Sequence, residues 1–337
     1  MSNRWIQRSG LGLLLAGALL MITACDWSAE LGIGDNDDDG GNDVTAPVAD
    51  TDILGLAVAA SNQNFDDTTA DLDAAISAAN RYIAQPRLVD HRDNAAGVNL
   101  TLRPTTVFFV DDPNRSAPLI AADPRVALDL PARILVYRDD DNDVGVAYNR
   151  AAYLSARFDL DDAEDGALDG LEDDLDDLVE TATDGDIDRR GSVAGISDGD
   201  GIESAASDNS FGVTVSNLAA AIEANSNLGL VATIDFAQRA LSFGRALNPT
   251  TLFIFGNPSV GSRLMQSSQT AGIDLPQTML VSQNDDGDVS VFYEDPAFIS
   301  DRHNIDDRDD QIEAIARLLA NLADTATSVA PGTSTPP

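Results

Sequence analysis

Pro104-Thr105-Thr106, followed by a β-branched and aromatic run and then by Leu128-Asp129-Leu130-Pro131, recurs as Pro249-Thr250-Thr251, a second such run, and Ile273-Asp274-Leu275-Pro276. Both motifs repeat at one offset (249 − 104 and 276 − 131 each give 145), so no gap separates them. The match spreads outward in both directions. Asp90, Phe108, Pro113, Tyr148, Ser155 and Asp161-Asp162 return as Asp235, Phe253, Pro258, Tyr293, Ser300 and Asp306-Asp307. At the front, Ser61, Phe65, Leu72 and Ile76 meet Ser207, Phe211, Leu218 and Ile222 at an offset of 146. At the back, Leu168, Leu171, Leu175 and Leu178 meet Ile312, Ile315, Leu319 and Leu322 at 144. One-residue slips of this kind are what loop insertions produce. The chain is therefore an internal duplication, with copies over 52–183 and 199–327 and an acidic linker over 184–198. Each copy has the usual length of one domain.

Each copy predicts the same succession of elements. A strand near Leu54–Ala60 leads to a helix capped by Asn64, with Phe65, Leu72, Ile76, Ala79 and Ile83 on one face at a 3.6 period. Ser210 takes the capping place in the second copy. A short strand ends at Asp90 (Asp235) and a brief helical or looped stretch follows. Thr105–Val110 (Thr250–Phe255) has the composition of a buried strand. A helix across Ala117–Ala122 (Arg263–Ser268) precedes the Asp-Leu-Pro motif. Its Pro is expected to open the next strand, where a missing N–H is tolerated. Ile134–Tyr137 with Val144–Tyr148 then forms a hairpin, as does Met279–Ser282 with Val289–Tyr293. The last element is an amphipathic helix. The expected fold is α+β: two small two-layer domains, each a mostly antiparallel sheet with helices mainly on one face, packed together as an intramolecular pseudo-dimer.

The N-terminus reads as an address. Arg4 and Arg8 precede an apolar run from Leu11 to Ile22 that is short for a membrane span. Ile22-Thr23-Ala24-Cys25 resembles the lipobox of bacterial lipoproteins, which implies a mature chain starting at a lipidated Cys25. Residues 1–25 are then the signal peptide. Asp26 resembles an inner-membrane retention signal, so the periplasmic face of the inner membrane is the favoured address and the outer membrane the other. Residues 26–51, with the run Gly34-Asp35-Asn36-Asp37-Asp38-Asp39-Gly40-Gly41, read as a disordered acidic tether. Such a tether keeps the domains roughly 25–30 Å from the lipid on average. Residues 328–337 read as a disordered tail.

Composition excludes several chemistries. The chain has 57 acidic and 20 basic residues, every basic one an Arg, for a net charge of −37. No basic stripe exists to bind nucleic acid. With Cys25 lipidated no thiol remains for a disulfide or a thiolate site, and His91 and His303 are the only histidines. The sequence carries no Gly-x-Ser-x-Gly elbow, P-loop, Gly-x-Gly-x-x-Gly or His-Glu-x-x-His. No cofactor is predicted.

The second copy reads Asn248-Pro249-Thr250-Thr251-Leu252-Phe253-Ile254-Phe255-Gly256-Asn257-Pro258, then Ile273-Asp274-Leu275-Pro276 and Val289–Tyr293. Together with the Asn-Phe or Ser-Phe helix start, this resembles the domain-of-unknown-function family 302, over nearly all of both copies. The resemblance implies a compact domain that tends to dimerise, and it brings no established activity, substrate or cofactor. Copy 1 keeps a His after its strand-ending Asp (Asp90-His91) where copy 2 has Asp235-Phe236. Copy 2 keeps Gly256-Asn257-Pro258 where copy 1 has Asp111-Asp112-Pro113.

His91 is the candidate for proton transfer or ligand binding, against a reading as a strand-end His bonded to backbone. Asn257, Tyr148 and Tyr293 are candidates to line a pocket with it, against turn-forming and core roles. Asp139, Asp141, Asp143, Asp286 and Asp288 lie in equivalent acidic hairpin loops and are weak calcium candidates that lack EF-hand spacing. The leading expectation is a lipid-anchored, non-enzymatic binding or interaction module, with an envelope protein as partner. The alternatives are a small-molecule sensor or enzyme with a pocket near His91 between the copies, and a structural envelope component.

Overall fold

The computed structural model describes residues 53–82, 86–160 and 165–329. Cys25, the tether and most of the tail lie outside these residues. Copy 1 runs β1 (Leu56–Ser61), α1 (Phe65–Ala78), β2 (Leu88–Asp90), α2 (His91–Gly97), β3 (Thr105–Val110), α3 (Pro113–Ala122), a 3-10 turn (Pro124–Leu128), β4 (Ala132–Arg138), β5 (Val144–Asn149), α4 (Ala151–Phe158) and α5 (Asp165–Thr183). A two-residue strand, β6 (Ile187–Asp188), lies in the acidic linker and pairs with the outer edge of β1.

Copy 2 repeats the order as β7 (Ile202–Ser207), α6 (Phe211–Ala224), β8 (Gly229–Asp235), α7 (Phe236–Ser242), β9 (Thr250–Gly256), α8 (Pro258–Ser267), a 3-10 turn (Gln269–Ile273), β10 (Gln277–Gln283), β11 (Val289–Glu294), α9 (Pro296–Arg302) and α10 (Asp309–Thr327). The sheets have the orders β2-β3-β4-β5-β1-β6 and β7-β11-β10-β9-β8, with every pairing antiparallel. The α+β architecture of two tandem copies is as the repeat predicted. The helices over Ala117–Ala122 and Arg263–Ser268 begin earlier than expected, at Pro113 and Pro258. There Asp112 and Asn257 cap the free N–H groups, and Pro at the first position gives up no bond.

Helices cover one face of each sheet, and the other copy covers the second. The alternation of β9 makes this visible. Phe253 and Phe255 join the core built on α6 and α10 with Leu218, Leu319 and Leu322, whereas Leu252 and Ile254 join the core of copy 1. The 3-10 turn of each copy rests on the sheet of the other: Pro124–Leu128 on β9, β10 and β11, and Gln269–Ile273 on β3, β4 and β5. Strands β3, β4, β9 and β10 are consequently buried almost throughout. The duplicated Asp-Leu-Pro motif thus marks the segment that the copies exchange.

Candidate functional site: a buried charge cluster between the copies

Each Asp-Leu-Pro motif places its Asp at the end of its 3-10 turn, facing the joint. Each hairpin is followed by a short helix, α4 or α9, that ends by burying an Arg. Arg157 and Arg302 stand at the shared offset and are 0% exposed along their side chains. Arg157 Nη1 donates to Asp129 Oδ2 at 2.8 Å within its own copy. It also reaches Glu294 Oε1 of the other copy at 2.9 Å. Arg302 repeats the pattern, with Asp274 at 2.9 and 3.1 Å and Asn149 Oδ1 of the other copy at 2.7 Å. The Nε atoms bind equivalent carbonyls, Arg157 that of Asp200 at 3.0 Å and Arg302 that of Leu54 at 2.9 Å.

A twofold relation therefore governs the two Arg–Asp pairs, and Glu294, His303 and Arg133 are among the residues that break it. Glu294 stands where copy 1 has Asn149, and His303 where it has Phe158. His303 Nε2 lies 2.7 Å from Asp274 Oδ2 and Nδ1 lies 3.0 Å from Thr270 Oγ1. Burial holds His303 below its ordinary value against the opposing pull of Asp274. The neutral ring fits these partners by donating from Nε2 and accepting the Thr270 hydroxyl at Nδ1.

Arg133 completes the cluster. Its Nη1 donates to the carbonyl of Ile273 at 2.9 Å and its Nη2 to that of Leu128 at 3.4 Å, so it clips both 3-10 turns. The Tyr153 ring packs between the two guanidiniums, 4.2 Å from Arg302 Cζ and 5.7 Å from Arg157 Cζ.

The electrostatics follow from burial and from these neighbours. Burial opposes charge on Asp274, but Arg302 and His303 outweigh it and hold the carboxyl far below the usual range. Burial dominates at Glu294 and raises it to about 7, with Arg157 acting against the rise. Glu294 Oε2 and the Tyr153 hydroxyl are buried and make no hydrogen bond among the described residues. Taken together, the cluster holds its charges against one another across the joint and ties one copy to the other.

The residues singled out in the sequence lie elsewhere. His91 opens α2, is buried, and has Nε2 3.3 Å from the Gly272 carbonyl of the other copy. Burial lowers it to about 4, which leaves it neutral at pH 7. Asn257 Oδ1 caps α8 by accepting from the Ser259 N–H at 3.0 Å, and Asp112 does the same for Asn114 at 2.9 Å in copy 1. Tyr148 is buried and its hydroxyl donates to Asp176 on α5, while Tyr293 is half-buried on β11. In the acidic loops Asp139 accepts the N–H groups of Asp141 and Asp143, and Asn284 accepts those of Asp286 and Asp288. Among the described residues no three His, Asp, Glu or Cys side chains gather closely enough to hold a metal ion.

Sequence reading passed over Arg157, Arg302 and Glu294. The signal for the two Arg was present, since both sit at the repeat's own offset. A second joint was also missed. Asp111, where copy 2 has Gly256, is fully buried, accepts the Ser116 hydroxyl at 2.7 Å, and pairs with Arg239 of copy 2 at 2.8 Å.

The sequence profile of the domain of unknown function DUF302 matches residues 57–182 and again residues 203–322. The chain belongs to the DUF302 family. Beyond the DUF302 match, the chain is similar to a protein named fluoride-specific ion channel FluC 1 of Brucella suis biovar 1. The identity is 33% over 105 residues, covering 31% of this chain and 41% of that protein. A protein of the same name from Brucella abortus biovar 1 matches at 33% over 105 residues, covering 38% of its length. The alignment thus spans well under half of these relatives. A crystal structure of an uncharacterized conserved DUF302 protein from Bacillus stearothermophilus is 16% identical, with a TM-score of 0.35, over 38% of this chain and 98% of that one. No helix among the described residues is long and apolar enough to cross a membrane.

Proposed function

We propose that the protein is a lipid-anchored, non-catalytic interaction module of the cell envelope, in which two DUF302 copies work as one rigid paired unit. The observation that carries this reading is the use of the most reactive side chains. Arg157, Arg302, Asp129, Asp274 and His303 are buried and bonded to one another. His91 likewise faces a backbone carbonyl. The anchor rests on Arg4, Arg8, the apolar run from Leu11 and the Ile22-Thr23-Ala24-Cys25 box. The similarity to proteins named as ion channels, which work in membranes, supports a role at a membrane. With a net charge of −37, the partner is a neutral or basic envelope protein and not a nucleic acid.

Two measurements test the reading. Labelled palmitate should enter the wild-type chain and not Cys25→Ser, and the variant should leave the membrane fraction. Retention of Cys25→Ser with membranes overturns the anchor. Thermal shift of the mature chain against metals, haem and metabolites should show no stabilisation. A saturable upward shift with any of them overturns the non-catalytic reading in favour of a small-molecule site.

A further inference from the structure

The two copies are not electrostatic equals at their joint. Copy 1 contributes Arg133, Arg157 and Asp129 to the buried cluster, one positive charge in excess. Copy 2 contributes Arg302, Asp274 and Glu294, one negative charge in excess, with His303 neutral. Each ion pair that crosses the joint depends on at least one residue the copies do not share. Arg157 meets Glu294, where copy 1 has Asn149. Arg239 meets Asp111, where copy 1 has Asn94 in place of the Arg and copy 2 has Gly256 in place of the Asp. The ion pairs common to both copies, Arg157–Asp129 and Arg302–Asp274, stay within a copy.

From this asymmetry we infer that the joint is a pairing code: copy 1 is built to accept copy 2 and to reject a second copy 1, and copy 2 likewise. With Glu294 ionised, copy 1 matched to copy 2 closes a buried cluster of zero net charge. Two joined copies 1 bury a cluster of charge +2, and two joined copies 2 one of charge −2. The second joint discriminates in the same direction. Two copies 1 leave each Asp111 facing Asn94, and two copies 2 leave each Arg239 facing Gly256. Uncompensated charge in such a site is costly enough to decide which partner binds. The duplication has thereby turned a joint between like domains into one between complementary halves. Each chain closes on itself and offers no sticky half to its neighbours on the membrane.

A charge-relocation cycle in the full mature chain tests this at pH 8, where Glu294 is ionised. Asn149→Glu alone adds a fourth carboxylate and is expected to lower the Tm by roughly 6 °C or more. The same change made together with Glu294→Asn restores neutrality and places the carboxylate opposite Arg302 instead of Arg157. It is then expected to cost less than about half as much. A single variant that fails to fold beside a double variant that folds is the same result at its limit. Equal cost in both backgrounds, or a double variant that does not fold, overturns the inference. The second test inserts a protease site between the exposed residues Ala194 and Gly195, cuts the folded chain, and refolds the two fragments together from urea. Native mass spectrometry should find pairs made of one fragment of each kind, and like-with-like pairs in comparable amount overturn the code.

Discussion

The guanidinium of Arg157 crosses the boundary between the two DUF302 copies to lie 2.9 Å from the carboxylate of Glu294, with neither side chain open to solvent. The same Nη1 holds Asp129 at 2.8 Å. Removing this Arg leaves buried Glu294 with no donor among the described residues and Asp129 with only the long bond from Asn149 Nδ2 at 3.3 Å. Arg157→Leu should therefore lose about 3–5 kcal/mol in urea unfolding. Arg302→Leu should lose less, because Asp274 keeps its bond from His303 Nε2. A larger loss at Arg302 than at Arg157 would contradict this account of the cluster.

The cluster also sets a pH dependence. Glu294 stands at about 7 in the folded chain against an ordinary 4.5. The folded state holds this proton more tightly, so its contribution is full below 4.5 and is lost as pH rises through 7. His91 moves the other way, to about 4 from 6.5, and His303 is lowered too. Their contribution is full above 6.5 and falls away as pH drops. Wild-type stability should thus stay within about 0.5 kcal/mol from pH 9 to 6.5, because the Glu294 gain offsets the histidine loss, and below 6.5 it should fall more shallowly than without Glu294. Glu294→Gln should be flat from pH 9 to 7 and decline below 6.5. A variant whose profile parallels the wild type would remove Glu294 from the explanation.

What the sequence disclosed and what it hid have a common cause. The sheets, the long helices and the duplicated Asp-Leu-Pro were legible because each is a run long enough to show a period or a repeat. Helices α4 and α9, with 8 and 7 residues, are too short for periodicity to register, and they carry Arg157 and Arg302. A buried Arg also looks like a surface Arg in a chain this acidic until its partner is known, and that partner lies 137 residues away. The contrast drawn from the sequence, His91 in one copy and Asn257 in the other, concerned polar residues that the fold uses on backbone groups. The differences that carry charge across the joint were Asn149 against Glu294 and Asp111 against Gly256.

His91 faces the Gly272 carbonyl from a position that copy 2 fills with the buried ring of Phe236. An apolar ring is therefore compatible with this place in the fold. His91→Phe should lose no more than about 1–2 kcal/mol at pH 8, the value of one weak buried bond. At pH 5 the comparison should shift in its favour by about 2 kcal/mol, enough to cancel or reverse the order, because the unfolded wild type takes up a proton that the buried ring refuses. Urea midpoints at the two pH values check the shift. An equal difference at both would mean that His91 does not titrate on unfolding as its burial requires.

Gly55 and Gly201 enter their copies at equivalent points with φ of 73° and 66°, where a side chain is strained whatever the space. Space is lacking as well. A Cβ on Gly55 would stand 2.3 Å from the Tyr153 ring, and one on Gly201 2.2 Å from that of Phe298. Both rings border the charge cluster, since Arg302 stacks on Tyr153 and Arg157 Cζ lies 4.8 Å from Phe298. Gly201→Ala should therefore cost about 2–4 kcal/mol, the sum of backbone strain and an overpacked joint. Truncating the ring isolates the two terms. In a Phe298→Gly background both the ring and its Cβ, which would stand 2.5 Å from the added methyl, are gone, so Gly201→Ala should cost only about 1–2 kcal/mol, the backbone part alone. A cycle of four urea curves gives the coupling between residues 201 and 298. A coupling near zero would show that the glycine is required by its backbone angle and not by the ring that seals the Arg157 end of the cluster.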